Sequence, residues 1–409
     1  MAVITDLPCE TVASILRNLD NVRDFLPTLL ACRHFYSASK EHPGIEFSIF
    51  ERQVPPALLP YSLAVQAASA LPYPRSDDAV VELLDQLHGD PAEVTARLRL
   101  VRRGILTLMG RTHDRIQSFV AEFANDAWNR LSQGVLEGTH VLSSSEHYRF
   151  CRAFYRLELF YKLFRDNQEN PQSLYFSRFS PWENEQIYCV HDYLEGRLAE
   201  ASFDVLAHDV EFGNNEIDYL EPGLKNDWRQ LWMSQGVDFV YGLLYASSYG
   251  MRRDLLASAF TARRANFPGA MGLSFRTGRR VRPNELGEYP AEYVDLMFSK
   301  CDHHDTDKGP YEAWRSVNAF VTGPRMFSRS ANATLREHAY VLWDWDRVDK
   351  DHLLRLFATL PMDPPHLSEE DYNNMITSFH ERSVIWQRGG RGYWSENDLS
   401  KVVWPGESE

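Results

Sequence analysis

The chain has 409 residues, with 43 Lys and Arg against 57 Asp and Glu, and a formal net charge of −14 with histidine neutral. Non-specific nucleic-acid affinity rests on Lys and Arg contacts to phosphate, so a chain this acidic is not expected to bind DNA or RNA. At 44% hydrophobic and 24% charged, the composition is that of a globular protein large enough to bury its cores without a disulfide or metal framework, and it excludes a largely disordered chain.

The cysteines Cys9, Cys32, Cys151, Cys189 and Cys301 are odd in number and far apart, which is the usage of a reducing compartment. The opening MAVITDLPCE has neither a basic stretch nor an apolar one, so no signal peptide is expected, and the sequon Asn332-Ala333-Thr334 is expected to be an unmodified loop. The most apolar stretch, Val237 to Met251, is interrupted by Asp238, Ser247 and Ser248 and is too short to span a bilayer. These features point to the cytoplasm or nucleus, with no membrane partner.

From Pro8 to Leu19 the residues Val12, Ile15, Leu16 and Leu19 follow i, i+3, i+4, i+7 spacing, one stripe of an amphipathic helix. Pro8 suits its first position and Glu10 favours the positive end of the helix dipole. Asp20-Asn21 ends it, and Asp24 is a good N-cap for a second helix that carries Pro27 harmlessly in its first turn. Leu29, Leu30, Cys32, Phe35 and Tyr36 continue the apolar pattern until Pro43-Gly44. Three short helices in about 45 residues are too few to hold a core alone, so this unit must lean on the rest of the chain. Prolines 55, 56 and 60 divide residues 45–71 into helix, turn and helix. Helical periodicity returns over Asp77 to Leu87 and over Glu93 to about Leu131. The stretch 145–165 is a helix apolar over most of its circumference, with Phe150, Phe154, Leu157, Tyr161 and Phe164 on one stripe, and is therefore expected to be buried on several sides. Ile187, Val190, Leu194, Leu198, Ala201 and Val205 place another helix over Trp182 to Leu206, and Trp228 to Tyr245 reads as one more. Weaker helical patterns follow near 290–299, 310–320, 334–344 and 350–358. The tail from Pro361 reads as an acidic Ser-Glu-Glu-Asp turn and a single Arg-Gly-Gly element over Arg388 to Gly392. Sustained β alternation and repeats of 20 to 50 residues are absent from this pattern, which argues against propellers, leucine-rich horseshoes and dinucleotide-binding units. The expected class is all-α.

The order Leu7-Pro8-x-Glu10, Ile15-Leu16-x-x-Leu19-Asp20, Asp24-Phe25, Leu29-Leu30-x-Cys32-Arg33-x-Phe35 resembles the F-box over roughly residues 5–40. The resemblance implies that these helices dock on a Skp-type adaptor, which joins the chain to a cullin–RING ubiquitin ligase, while the remainder selects a protein client. It implies adaptor contacts from Leu7, Pro8, Glu10, Val12, Ile15, Leu16, Leu19, Leu29, Cys32, Arg33 and Phe35. The remainder, with Trp182-Glu183-Asn184-Glu185-Gln186, His208-Asp209-Val210-Glu211 and Tyr340-Val341-Leu342-Trp343-Asp344, resembles the helical C-terminal regions of uncharacterised fungal F-box proteins, which implies no known activity. The expected division is an adaptor-docking module over 1–48, a helical domain over 49–265 and a C-terminal region over 266–409 packed on it.

Other clusters offer rival chemistry. Cys301-Asp302-His303-His304-Asp305-Thr306-Asp307 is dense in metal-capable side chains, but consecutive residues cannot all face one ion, and the pattern fits a solvated polar loop better than a zinc site. His191-Asp192 and His208-Asp209, with Cys189 nearby, could serve a hydrolase only if nucleophile, base and orienting acid converge in space, which sequence adjacency does not establish. An enzyme or metal-binding protein built on 189–209 or 301–307 is therefore one alternative reading, and a helical binding protein that never joins a ligase is another. Neither a catalytic residue nor a cofactor is expected. Arg263, Arg264, Arg276, Arg279, Arg280 and Arg282 reverse the local sign of an acidic chain. Of these, Arg276, Arg279, Arg280 and Arg282 are candidate contacts for an acidic or phosphorylated partner motif.

Overall fold

A computed structural model describes residues 4–72, 75–132, 141–165, 175–223, 226–262, 264–274, 302, 304–318, 332–350, 352–360 and 368–406. The described chain is helical almost throughout, in agreement with the expected class. It divides into two compact units. One comprises Met1–Asn125, His140–Leu163 and His303–Thr306, and the other Asp126–Thr139, Phe164–Asp302 and Asp307–Glu409. These divisions differ from the expected boundaries near 48 and 265. None of the described helices is long and apolar enough to cross a membrane.

The first unit opens with α1 (Cys9–Arg17), α2 (Phe25–Ala31), α3 (Arg33–Glu41) and α4 (Ile45–Gln53). Both α1 and α2 pack on α3, and α4 packs on α1, around Val12, Leu16, Phe25, Leu29, Ala38 and Ile49. The turn into α2 is capped by Asn21, whose Oδ1 accepts the Arg23 N–H at 2.9 Å, and not by Asp24, whose side chain makes no cap bond. There follow α5 (Leu59–Ala70), α6 (Asp77–Asp85), α7 (Pro91–Arg99), α8 (Arg103–Ser132) and α9 (Ser144–Phe164). The single helix expected over 93–131 is thus two. No residue from Arg99 to Ile105 is fully buried and Leu100 is 85% exposed, so nothing holds the helix straight through that stretch. The helix α9 is buried on all sides as expected, and its Arg149, Arg152 and Arg156 are buried with it.

In the second unit the central element is α10 (Pro181–His208). A capping box opens it: the Ser180 N–H donates to Glu183 Oε2 (3.1 Å) and the Glu183 N–H to Ser180 Oγ (3.4 Å). Packed on α10 are α11 (Val210–Asn214), α12 (Asp227–Met233), α13 (Val237–Leu244), α14 (Tyr249–Ser258), α16 (Gly309–Asn318) and α17 (Ala333–Glu337), with α15 (Phe267–Ser274) between them in sequence. The helix expected over Trp228 to Tyr245 is broken at Gly236, whose φ of 94° is open to glycine and costly for other residues. Two short helices follow, α18 (Trp345–Lys350) and α19 (Leu353–Thr359), and then α20 (Glu369–Gln387), which packs on α11.

The tail departs from expectation twice. Ser368-Glu369-Glu370-Asp371 is not a turn but the start of α20: Ser368 Oγ accepts the Asp371 N–H at 3.0 Å, and three carboxylates sit at the positive end of the helix dipole. The Arg-Gly-Gly element is the entry to an antiparallel pair, β1 (Arg391–Gly392) with β2 (Val402–Val403). This pair closes a small cluster of Val210, Ile385, Trp394 and Val402. The helix expected near 290–299 lies outside the described residues.

Candidate functional site

The first candidate is the surface of α1 to α3. Apolar periodicity forms each helix, and the same stripe that builds the core leaves other apolar side chains in water. Of the residues implied to contact an adaptor, Pro8, Glu10, Ile15 and Arg33 are exposed, and Leu7, Leu19, Cys32 and Phe35 are half-buried. Val12, Leu16 and Leu29 are buried in the unit's own core, where they hold the helices together and face no partner. The Leu7 carbonyl lies 2.8 Å from His34 Nε2, which ties the chain ahead of α1 to α3. Exposed beside them are Leu26 (52%), Leu30 (79%) and Tyr36 (48%). Leu26 and Leu30 lie four residues apart and so share one face of α2. That face could have been found from sequence, because Phe25 and Leu29, four residues apart, define the buried stripe, and Leu26 and Leu30 each follow one of them by about 100° around the helix.

The second candidate is a buried polar cluster on α10. Arg336, from α17, donates from Nε to Glu185 Oε1 (2.8 Å) and from Nη1 to Asp192 Oδ2 (3.0 Å), and its guanidinium lies over the Tyr188 ring. Burial alone would lower the Arg336 pKa, but Glu185 and Asp192 more than offset it and raise it well above the ordinary value. His191 Nδ1 lies 3.1 Å from Asp192 Oδ1 and its Nε2 3.4 Å from Gln230 Oε1. Glu195 Oε1 accepts from the Gly223 N–H (2.7 Å) and from Gln230 Nε2 (3.4 Å). Burial pushes the Glu195 carboxyl up against the pull of His191 and Arg229.

The hydrolase reading finds no ready thiolate in the buried cysteines. Burial raises the Cys189 thiol well above its ordinary value and the Cys151 thiol to about 12, so neither is a thiolate at neutral pH. His208 and Asp209 serve the fold. His208 Nδ1 lies 3.0 Å from the Trp394 carbonyl and its ring stacks on Tyr393. Asp209 Oδ1 caps α11, and its Oδ2 accepts from Arg253 Nε (2.9 Å) and Tyr249 Oη (3.0 Å).

In the 301–307 run, Cys301 and His303 lie outside the described residues. The rest is a loop in which His304 and Thr306 are exposed as expected, but its acids are not simply solvated. Asp305 is buried between two guanidiniums, accepting from Arg149 Nε (3.0 Å) and Arg152 Nη2 (2.8 Å). Asp302 is buried too, and its N–H donates to Glu183 Oε1 (3.3 Å). Asp307 Oδ1 accepts the N–H groups of Gly309 and Trp345, both at 2.8 Å. Asp305 and Asp307 are thus each committed to nearby donors, as acids held partly out of water must be.

Arg276, Arg279, Arg280 and Arg282 lie outside the described residues, as does Arg263, while Arg264 pairs with Asp227 at 2.6 Å. No protein-family model, curated protein or solved structure matches the chain.

Proposed function

We propose that the chain is the F-box substrate receptor of a cullin–RING ubiquitin ligase, docking a Skp-type adaptor through α1 to α3 and a protein client through its larger helical remainder. The observation that carries this reading is the exposure of Ile15, Leu26, Leu30 and Tyr36 on the helices whose sequence resembles the F-box. Apolar side chains left in water on three consecutive helices support a partner surface there. Pro8, Glu10 and Arg33 lie exposed on the same helices and give it polar contacts. A few such anchors suffice to nucleate a standard interface of about 1,600 Å². In this reading the chain is not itself an enzyme.

The test is co-purification of the full chain with a Skp-type adaptor and its cullin. Wild type is expected to retain both. Leu30→Asp combined with Ile15→Asp is expected to lose both with helical content unchanged, since neither side chain supports the core. Failure of the wild type to hold the adaptor rejects the reading. Capture of adaptor without cullin would favour a binding protein that stays outside the ligase.

A further inference from the structure

We propose that His191, Asp192 and Glu195 form a binding site for one divalent first-row transition-metal cation, with Zn2+ the best match. The three residues stand at i, i+1 and i+4 on α10, and one ligand atom from each lies within 4.8 Å of the others. Ligands about 2.0–2.2 Å from a common ion stand roughly 3–4 Å apart, so a small inward rotation of the side chains closes the set. One imidazole nitrogen with two carboxylate oxygens suits Zn2+, Mn2+ or Fe2+.

Three further observations point to an ion. The first is the fixing of the imidazole before any ion arrives: its ring stacks on Phe267 at 4.9 Å and meets the edge of Tyr188 at 5.7 Å. The second is the pattern of outer contacts. Arg336 takes Asp192 Oδ2 and leaves Oδ1 beside His191, while Gly223 and Gln230 take Glu195 Oε1. No hydrogen bond among the described residues reaches Glu195 Oε2, although the residue is only 6% exposed. Outer contacts that orient each ligand and leave one oxygen of each carboxylate open are the arrangement of a metal's second shell. The third is charge. Acids outnumber guanidiniums around the set: Glu185 and Asp192 share Arg336, and Glu195 shares Arg229 with Asp218 and Glu221. Asp192, whose side chain is 21% exposed, gives the ion its way in.

Tag-free full-length protein, stripped with a chelator, is titrated with ZnCl2 by calorimetry and checked for metal content by elemental analysis, with MgCl2 as the control cation. One Zn2+ per chain is expected, with Mg2+ not competing. Glu195→Gln keeps the shape and the acceptor for Gly223 and is expected to weaken Zn2+ binding at least about tenfold, with His191→Asn doing the same. Chain that takes up no stoichiometric Zn2+ overturns the proposal, and so does Zn2+ that both variants hold as tightly as wild type. Should a variant not fold, Co2+ on the wild-type chain decides: weak visible bands indicate nitrogen and oxygen ligands, and an intense near-ultraviolet thiolate band would put the ion on a cysteine and overturn the site.

Discussion

Burial acts on Asp305 and His113 with opposite outcomes. By itself it would raise the Asp305 carboxyl, but the guanidiniums of Arg152 and Arg149 more than offset this and hold it below its ordinary 3.8. Asp305→Asn removes the shared carboxylate from two buried cations, and the first unit is expected to lose about 3 kcal/mol of stability. Urea unfolding measures this, and a variant as stable as wild type would show that the pair is not holding the unit. His113 has no such carboxylate bonded to it. Its Nδ1 lies 3.0 Å from Tyr155 Oη, and burial lowers its pKa from 6.5 to about 4. The fold keeps the imidazole neutral while the unfolded chain takes up the proton, so stability falls with pH between about 6.5 and about 4. The largest loss from this one group is about 3 kcal/mol. His113→Gln is expected to flatten the acid limb of stability against pH over that window, and an unchanged limb would assign the loss to other groups.

At the scale of elements, what the sequence made legible depended on how continuous the apolar stripe is. The helices α9 and α10 carry unbroken stripes and were readable along nearly their whole length. By contrast α20 was not, because its first two turns are exposed but for Met375, and its other buried anchors Phe379 and Ile385 come late. Its start was written in the cap instead. Ser368→Ala removes the acceptor for the Asp371 N–H and is expected to cost about 1 kcal/mol of helix stability. Faster amide hydrogen exchange confined to the first turn of α20 would register it, and exchange identical to wild type would mean that packing on α11 alone sets this end. The α10 cluster was half legible. His191 and Asp192 stand out in the sequence and Glu195 follows at helical spacing, but Arg336 reaches Glu185 across 151 residues, a pairing that only tertiary packing creates. The roles of Asp302 and Asp305 were hidden for the same reason, because the Glu183 carboxylate that accepts from Asp302 and the guanidiniums that donate to Asp305 lie far away in the chain.

At the scale of the whole molecule, α1 to α3 are not a detachable cassette. The Val22 N–H donates to Gln53 Oε1 (3.2 Å), and Gln53 Nε2 donates in turn to Asp114 Oδ1 (2.7 Å) on α8. Asn21 Nδ2 donates to Asp114 Oδ2 at 2.7 Å, and the Arg103 guanidinium covers the Phe25 ring at 5.4 Å. A cut after residue 48 severs the ties of Val22 to Gln53, Asn21 to Asp114 and Phe25 to Arg103, and removes Ile49 and Phe50 from the core that α1 shares with α4. What remains buries too little apolar surface to offset the conformational entropy of ordering three short helices. A fragment of residues 1–48 is therefore expected to give no cooperative transition in urea or on heating, whereas the full chain unfolds cooperatively. If the fragment melts cooperatively by circular dichroism, the ties to Gln53, Arg103 and Asp114 are dispensable. If it does not, the proposed adaptor, offered only the fragment, would have to fold it while binding it. Its affinity should then fall below that of the full chain by the free energy of that ordering, typically about 2–5 kcal/mol.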